Sequence, residues 1–444
     1  MTCPFDTELQ KDKEMICMEA SSARILAKNI YINNDTRATG NNNNDLIIGP
    51  SGAGKTRGYV IPNILQADGS LVVTDTKGNL CRQFQPYLES RGYQVMELNF
   101  ARMDRNRWGY NPLAAIRYDR KRKQYNEQDI IGLSAVIAPV LTRDDPFWDQ
   151  SAQIYLQALV GYVLECLPVQ ERNLSSVCRL SGLIGSTTLD QLFRELSELK
   201  PDCFAVSRYR SMMTTRSANR TDACIRAFLD RHLLPLSYDE ASQMFRNPRQ
   251  VSLDGIGLRK TAVFLTVSDT DRSSDPLVNL FYAQAFQRLV ALADRSPGSR
   301  LPVPVRFILD DFATNAVIPH FDNLISVIRS RELSVSLVIQ SLSQLESIYG
   351  RAKSQTIINN CDNWLYLGGL DLQTAQEMST RLNRTVQSVL NMSHTDAVVL
   401  TRGQPPRRCD KFLPEDHPLW RAAQSRRAAA EKAEERSTPY EQAV

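Results

Sequence analysis

Short apolar runs and helix-length segments alternate near both ends of the chain, and this alternation predicts a parallel β-sheet. Each run holds consecutive apolar residues and ends at a polar or glycine position, which is typical of a strand buried on both faces. The runs lie at residues 46–48, 70–74, 93–98, 261–267, 305–309, 335–339 and 364–367. Strand, helix and strand in this spacing favour a doubly wound, mostly parallel α/β sheet.

The middle of the chain follows a different pattern. Its apolar positions recur at helical spacing, as in Leu189, Leu192, Leu196 and Leu199, which predicts an all-α domain inserted into the sheet domain. The predicted organisation is a lead-in at 1–44, a discontinuous nucleotide-binding domain at 45–116 and 255–413, the all-α domain at 117–254, and an exposed, charged helical tail at 414–444.

Composition and charge narrow the choice of function only a little. The 444 residues carry a net charge of +4, so any affinity for nucleic acid must come from local patches. Two segments concentrate basic residues, 117–123 and 208–231, and the second contains Arg208, Arg210, Arg216, Arg220 and Arg226 with Tyr209 among them. Each segment is either a solvated helix face or a DNA contact.

Cysteine spacing and hydropathy point to a soluble protein of the cytoplasm. The nine cysteines form no CxxC pair, which favours reduced thiols over a metal site. No stretch reaches the roughly 18 apolar residues that a membrane span needs.

Residues 49–56 read GPSGAGKT directly behind the first apolar run, which matches a phosphate-binding loop that follows a strand. Glycines allow successive backbone N–H groups to face the phosphates, the lysine reaches the β- and γ-phosphate oxygens, and the threonine hydroxyl ligates Mg²⁺. The sequence therefore predicts ATP and Mg²⁺ as cofactors, bound by Gly49, Ser51, Gly52, Ala53, Gly54, Lys55 and Thr56.

Two carboxylates end the apolar run at 305–309. Asp310 is the candidate for the Mg²⁺ shell, since that role needs a carboxylate at the end of a neighbouring strand. Asp311 is the candidate for the group that orients or deprotonates the attacking water. The alternative for either residue is that it merely caps the segment that follows.

Two further polar residues complete the predicted site. Gln340 ends the run at 335–339, at the strand end where ligands of α/β sheets gather, and is expected to sense the γ-phosphate or the water. Arg329 is either an arginine finger that reaches the nucleotide of a neighbouring subunit or the partner of Glu332 in a surface ion pair.

Several segments together resemble the type IV secretion coupling proteins, the ring-forming ATPases that move DNA during bacterial conjugation. The resemblance covers about residues 36–413. It rests on the order and spacing of NNNNDLIIGPSGAGKT at 41–56, SLVVTDTKGNL at 70–80, NPL at 111–113, FW at 147–148, ILDDFATNAVIPHF at 308–321 and IQSLSQL at 339–345.

The resemblance implies a fold, partners and residue roles. The core would be a RecA-like P-loop domain, the all-α insertion would engage DNA, and the chain would assemble as a homohexamer. It assigns Lys55 and Thr56 to phosphate and Mg²⁺, Asp310 to the Mg²⁺ shell, Arg329 to the trans-acting arginine and Gln340 to the sensor. Relaxase or relaxosome proteins and secretion-channel proteins would be further partners.

Three features depart from the family pattern. The pair of membrane helices that usually precedes the loop is not evident in the first 48 residues. We therefore expect either a peripheral position at the inner face of the membrane through an anchoring partner, or a soluble variant, or a truncated gene product. Asp311 stands where the family has glutamate, and TDTKGN stands where it has TDPKGE.

These observations leave three functional hypotheses. The leading hypothesis is an ATP-driven translocase that delivers DNA to a type IV secretion channel. The second is a nucleotide-gated protein of the same system that docks substrates with little or no hydrolysis. A small-molecule kinase fits the loop but not the helical insertion or the late Asp310 strand.

Overall fold

The computed structural model describes residues 23–140, 145–216, 218–268, 270–312 and 317–437. The chain divides into two compact units. The first, called the sheet unit, comprises Met1–Met96, Asp254–Asp269 and Leu289–Val444; the second, called the helical unit, comprises Glu97–Leu253 and Thr270–Arg288. The domain boundaries drawn from the sequence stay predictions.

Thirteen strands are found in the described residues. In chain order they are β1 Ala23–Ala27, β2 Ile30–Asn33, β3 Asp45–Ile48, β4 Ser70–Asp75, β5 Gln94–Asn99, β6 Tyr118–Asp119, β7 Gln124–Tyr125, β8 Thr261–Thr266, β9 Val305–Leu309, β10 Leu333–Ile339, β11 Asn363–Tyr366, β12 Asp396–Thr401 and β13 Arg407–Asp410.

Nine strands form one central sheet in the order β13-β12-β11-β3-β10-β9-β4-β8-β5. The six strands from β11 to β8 pair in parallel, while β12 and β13 are added antiparallel at one edge. Every residue of β3, β4, β8 and β10 is buried, as expected for strands covered on both faces. The predicted doubly wound, mostly parallel α/β class is confirmed.

Helices connect the strands of the sheet unit. Their bounds are Thr36–Thr39, Ile61–Leu65, Leu80–Ser90, Leu253–Leu258, Phe321–Val327, Leu342–Tyr349, Arg351–Asn359, Leu372–Leu382, Val386–Leu390 and Trp420–Ser437, and the long helix Asp275–Arg295 joins the two units along the chain.

The last helix, Trp420–Ser437, is not the fully exposed tail that its charged composition predicts. Ala423 is completely buried, and Trp420 packs against the hydrophobic core. Arg82, on helix Leu80–Ser90, pairs with Glu431 at 3.8 Å. Buried and half-buried positions recur every three or four residues, so alanines on one face allow close packing while charges cover the other.

The lead-in also has structure of its own, since β1 and β2 form an antiparallel hairpin that packs on the core. Asn63, in the helix Ile61–Leu65, fixes this hairpin. Its amide accepts a hydrogen bond from the Ile25 N–H at 2.9 Å and donates to the Ile25 and Tyr59 carbonyls, both at 2.8 Å. Residues 1–22 of the predicted lead-in and 438–444 of the predicted tail lie outside the described residues.

The helical unit contains helices Glu127–Ile137, Phe147–Cys166, Leu174–Ser181, Thr187–Leu199, Phe204–Arg216, Asn219–Leu233 and Asp239–Arg246, and the two-residue ladder of β6 with β7. Phe147–Cys166 forms its core, with a continuous buried run from Tyr155 to Leu164. Gly161 is needed there, because a Cβ at this position would lie only 2.8 Å from the Cβ of Ala205 on helix Phe204–Arg216.

The seven cysteines among the described residues are free thiols; Cys3 and Cys17 lie outside that part of the chain. Among the helices that the structure describes, none is long and apolar enough to cross a lipid bilayer.

Candidate nucleotide-binding site

The loop after β3 has the backbone that a phosphate-binding loop requires. Gly52 and Gly54 adopt φ values of 78° and 87°, a left-handed conformation that favours glycine. Gly49 is needed for a different reason, because a Cβ there would lie 3.0 Å from the Cβ atoms of Ala53 and Leu367. The loop, with exposed Ser51 at its tip, turns directly into a helical segment that starts at Thr56.

Lys55 is folded into this loop. Its side-chain amine donates hydrogen bonds to the carbonyl oxygens of Gly49 at 2.7 Å and Pro50 at 3.0 Å. Burial lowers the pKa of Lys55, while the nearby carboxylates of Asp311 and Asp310 act in the opposite direction. The amine is thus a partly desolvated cation on the phosphate loop, which suits it to a phosphate oxygen.

Thr56 and Asp310 meet although 254 positions separate them in the sequence. The Thr56 hydroxyl donates to the Asp310 carboxylate at 2.7 Å. Burial raises the pKa of Asp310 to about 6, the charge of Asp311 adds to this, and the hydrogen bond from Thr56 and the charge of Lys55 oppose it. A hydroxyl and a carboxylate are the hard oxygen donors that Mg²⁺ prefers, so the pair fits this ion.

Asp311 follows in an unusual backbone conformation. Its φ is 51°, in the left-handed region that aspartate and asparagine tolerate better than most residues with a side chain. Its N–H donates to the Asp310 carboxylate at 3.1 Å. The turn therefore ties the two aspartates together at the end of β9. Residues 313–316 of the ILDDFATNAVIPHF motif lie outside the described residues.

Gln340 lies beside the loop, as its position at the end of β10 predicts. Strand β10 pairs with both β3 and β9, and the Gly49 N–H donates to the carbonyl of Ile339 at 3.2 Å. Gln340 is exposed. Its side chain therefore lies at the carboxyl ends of the parallel strands, as Lys55 and Asp310 do, and is accessible to a bound ligand.

Arg329 lies at the other end of the same strand. It precedes β10, whereas the phosphate loop follows β3, its parallel neighbour. The guanidinium donates to the carbonyls of Thr36 at 3.1 Å and Gly40 at 2.8 Å, and Glu332 pairs instead with Arg300. Strand β10 has seven residues, so roughly 20 Å separates Arg329 from the loop of its own chain.

Lys411 and Asp75 have structural roles that the sequence did not indicate. Lys411 donates to the carbonyl of Ala53 at 3.0 Å and so supports the phosphate loop from the segment after β13. Asp75 accepts hydrogen bonds from the N–H groups of Lys77 at 3.2 Å and Leu80 at 2.6 Å. The apolar run AVVL at residues 397–400 is a strand signal, but nothing in the sequence indicates the contact of Lys411.

The basic segment at 208–231 is divided between two helices, Phe204–Arg216 and Asn219–Leu233, rather than lying along one. Arg216 donates to Asp190 at 2.7 Å, and Arg226 pairs with Asp222 at 3.0 Å. Arg210, Arg220 and Arg231 are exposed. These three are therefore the arginines of the segment that are best placed to contact a phosphate backbone.

Tyr209 does not serve as an exposed stacking residue. Its hydroxyl donates to Asp190 at 2.5 Å, and its ring stacks on Phe193 with centroids 4.0 Å apart. Burial raises its pKa, and the hydrogen bond to Asp190 adds to this. Tyr209 thus belongs to the interior of the helical unit.

Comparison with known proteins identifies relatives across most of the chain. A family model described as "Type IV secretory system Conjugative DNA transfer" matches residues 7–389. Protein VirD4 of Rhizobium radiobacter is 24% identical over 354 residues, which cover 79% of this chain and 50% of VirD4. The chain thus spans about half the length of this curated relative.

Solved structures show the same fold. The unbound bacterial conjugative coupling protein TrwB superposes with a TM-score of 0.64 at 17% identity, covering 87% of each chain. TrwB in complex with ADP and Mg²⁺ gives a TM-score of 0.62 at 18% identity, covering 83% of this chain and 85% of TrwB.

Proposed function

Because the chain belongs to the type IV secretory conjugative DNA transfer family, as its motifs indicated, we propose that it is an ATP-hydrolysing coupling protein that moves DNA toward a secretion channel. The observation that carries the ATPase part is the convergence of Lys55, Thr56 and Asp310 at one edge of the sheet. Residues from the ends of two strands meet there in the arrangement that phosphoryl transfer requires.

ATP and Mg²⁺ are proposed as the ligands of this edge. Lys55 would exchange its two carbonyl acceptors for the β- and γ-phosphate oxygens, and the backbone N–H groups from Gly49 to Thr56 would surround the phosphates. Thr56 and Asp310 would hold Mg²⁺, which when bound neutralises the charge on the phosphate oxygens. The relative TrwB has been solved with ADP and Mg²⁺, which supports this assignment.

Asp311 and Gln340 are proposed to handle the attacking water. Asp311 is fixed by its left-handed backbone next to Asp310, so its carboxylate can orient the water or accept its proton. Gln340 is accessible at the end of the adjacent strand and can position the water or contact the γ-phosphate.

Arg329 is proposed to act on the nucleotide of a second copy of the chain. It lies at the sheet edge opposite its own phosphate loop, so it can stabilise the developing charge only across a subunit boundary. A homohexameric ring would supply such boundaries. DNA, relaxase or relaxosome proteins, secretion-channel proteins and a membrane-anchoring partner at the inner face of the membrane are proposed partners.

The test is ATP turnover by the purified protein, with and without DNA at low salt. We expect Lys55→Ala to lower turnover by at least about 100-fold, because it removes a cation that stabilises the developing charge. Lys353→Ala, at an exposed lysine of helix Arg351–Asn359, is the matched control and should leave turnover unchanged. DNA should stimulate the wild type, and the stimulation should weaken as salt rises.

One observation favours the second candidate, a nucleotide-gated docking protein. Asp311 is one methylene shorter than the glutamate of the family pattern, and a displacement of about 1 Å can cost on the order of 100-fold in rate. A protein that binds ATP but gives no turnover, with or without DNA, would exclude the motor and leave the docking function.

A further inference from the structure

A polar pocket lies at the amino-terminal ends of the parallel strands, at the opposite end of these strands from the phosphate loop. It has a volume of about 100 Å³, several times the roughly 10–15 Å³ that a single water molecule needs. Arg24 of β1, Arg306 of β9, Ser334 of β10 and the exposed Arg329 line it. None of the residues proposed to hold ATP belongs to this pocket.

The arginines of this pocket exceed the carboxylates available to them. Arg24 and Arg306 both pair with Asp45, at 2.7 Å and 3.4 Å, and Tyr59 donates to the same carboxylate at 2.6 Å. Burial raises the pKa of Tyr59, so its hydroxyl stays protonated. The cluster therefore carries two positive charges and one negative charge.

The two other acidic residues that line the pocket do not correct this imbalance. Asp68 pairs with Lys260 at 3.6 Å, and Glu332 pairs with Arg300. Each is thus matched by its own cation. Burial, followed by the charge of Arg24, lowers the pKa of Arg306, while the charge of Asp45 acts in the opposite direction.

Arg24 also has an unused donor. Its Nε bonds to Asp45 and its Nη1 bonds to Asn34 and Asn43. Its Nη2 is buried and makes no hydrogen bond to any residue that the structure describes. Only 2% of the side chain is exposed, and a buried charged donor without an acceptor is costly.

We propose that this pocket binds a phosphate group, with Arg24 and Arg306 as its inner donors and Arg329 at its rim. A tetrahedral oxyanion supplies both the missing negative charge and several acceptors, and guanidinium groups match its oxygens well. The group is either free inorganic phosphate or a phosphate of a nucleotide. The proposal needs none of the residues at the phosphate loop, and it shares only the rim residue Arg329 with the proposed ATPase.

Calorimetric titration with inorganic phosphate tests it, in protein that carries Lys55→Ala so that the phosphate loop does not contribute. We expect phosphate to bind to this protein and chloride of equal ionic strength to produce no such heat. Adding Arg24→Met should weaken phosphate binding about tenfold or more, the value of one charge-assisted hydrogen bond. Adding Arg408→Met removes an equal charge outside the pocket and should leave the affinity unchanged.

Absence of phosphate binding in the Lys55→Ala protein, or an unchanged affinity after Arg24→Met, would overturn the proposal. If Arg24→Met does not fold, as judged by circular dichroism, Ser334→Leu replaces it. That change keeps every charge and fills the pocket, so binding should be lost, and retained binding would count against the site. Titration with ADP separates the sources: tighter binding than phosphate identifies a nucleotide, and weaker binding identifies the free ion.

Discussion

Asp310 couples the site to pH, because burial raises the pKa of its carboxyl from 3.8 to about 6. The folded protein therefore holds this proton more tightly than the unfolded chain does. The resulting stabilisation is fully present below about pH 4 and is lost as the pH rises through about 6. The difference between the ordinary pKa of 3.8 and the folded-state pKa of about 6 corresponds to about 3 kcal/mol in the free energy of unfolding.

We expect the free energy of unfolding, measured by denaturant titration without Mg²⁺, to fall by about 2.5 kcal/mol more in the wild type than in Asp310→Asn between about pH 4 and about pH 7. Saturating Mg²⁺ should reduce this difference, because the cation favours the ionised carboxylate. Parallel pH profiles of the two proteins would show that Asp310 is not the group that titrates.

The proposed role of Asp311 leads to a second prediction for a single residue. Asp311→Asn keeps the side-chain size and the tolerance of a left-handed backbone but removes the carboxylate. If Asp311 is the general base, turnover should fall by roughly 10²–10⁴-fold while ATP binding remains. Unchanged turnover would remove Asp311 from the catalytic assignment.

The longer carboxylate is the matched comparison. Asp311→Glu restores the residue of the family pattern but places a less tolerant side chain at φ 51°. Turnover above the wild type would mean that the short carboxylate limits hydrolysis. An equal rate in Asp311→Glu and the wild type would mean that the length of this side chain does not limit it.

Single residues were predictable where they follow an apolar strand. Asp310 and Gln340 end β9 and β10, and the parallel order of these strands with β3 brings both to the phosphate loop. Lys411 was not predictable, because its contact with Ala53 depends on how β12 and β13 extend the sheet. No spacing rule relates positions 53 and 411.

Among the elements, the β1–β2 hairpin is tied to the segment that follows the phosphate loop by one buried side chain. Asn63 is only 4% exposed and satisfies three backbone groups of Ile25 and Tyr59. Replacing it with leucine leaves those groups buried and without a partner. Each such group costs about 1–3 kcal/mol.

We therefore expect Asn63→Leu to lower the free energy of unfolding by about 3 kcal/mol or more. Asn63→Asp keeps the acceptor for the Ile25 N–H but turns a buried carboxylate oxygen toward the Ile25 and Tyr59 carbonyls, so at neutral pH it should cost at least as much as the leucine variant. Urea denaturation measures both. A loss below about 0.5 kcal/mol for Asn63→Leu would contradict the role given to this side chain.

Elements were predictable where burial on both faces produces a mostly apolar run, which holds for β3, β4, β8, β9, β10 and β11. Strand β5 was also predicted, although it is an edge strand and three of its six residues are only half-buried. The hairpin strands were missed because β2 alternates buried and exposed positions over only four residues. The sequence signal for strand β13 is weaker still, since this strand reads RRCD and buries none of its side chains fully. Tertiary pairing with β12, rather than propensity, makes it a strand.

In the molecule as a whole, the phosphate loop and Arg329 lie at opposite ends of the parallel strands of one sheet. The phosphate loop is at the carboxyl ends of the parallel strands, and Arg329 is at their amino-terminal ends. If Arg329 acts as proposed, a single chain holds half of a nucleotide site at each end of the parallel strands. The sequence allowed Arg329 to be a trans-acting residue, but only the strand order excludes its action within the chain.

If each nucleotide site is completed by two chains, assemblies that mix two inactive variants should recover activity. Lys55→Ala and Arg329→Ala should each be inactive alone, since one chain lacks the phosphate-binding amine and the other lacks the arginine. When the two are co-expressed in equal amounts, random pairing gives about a quarter of the boundaries both an intact Lys55 and an intact Arg329. ATP turnover by the purified mixture should therefore recover to about a quarter of the wild-type rate. Turnover equal to the sum of the two separate variants would show that Arg329 does not complete the site of a second chain.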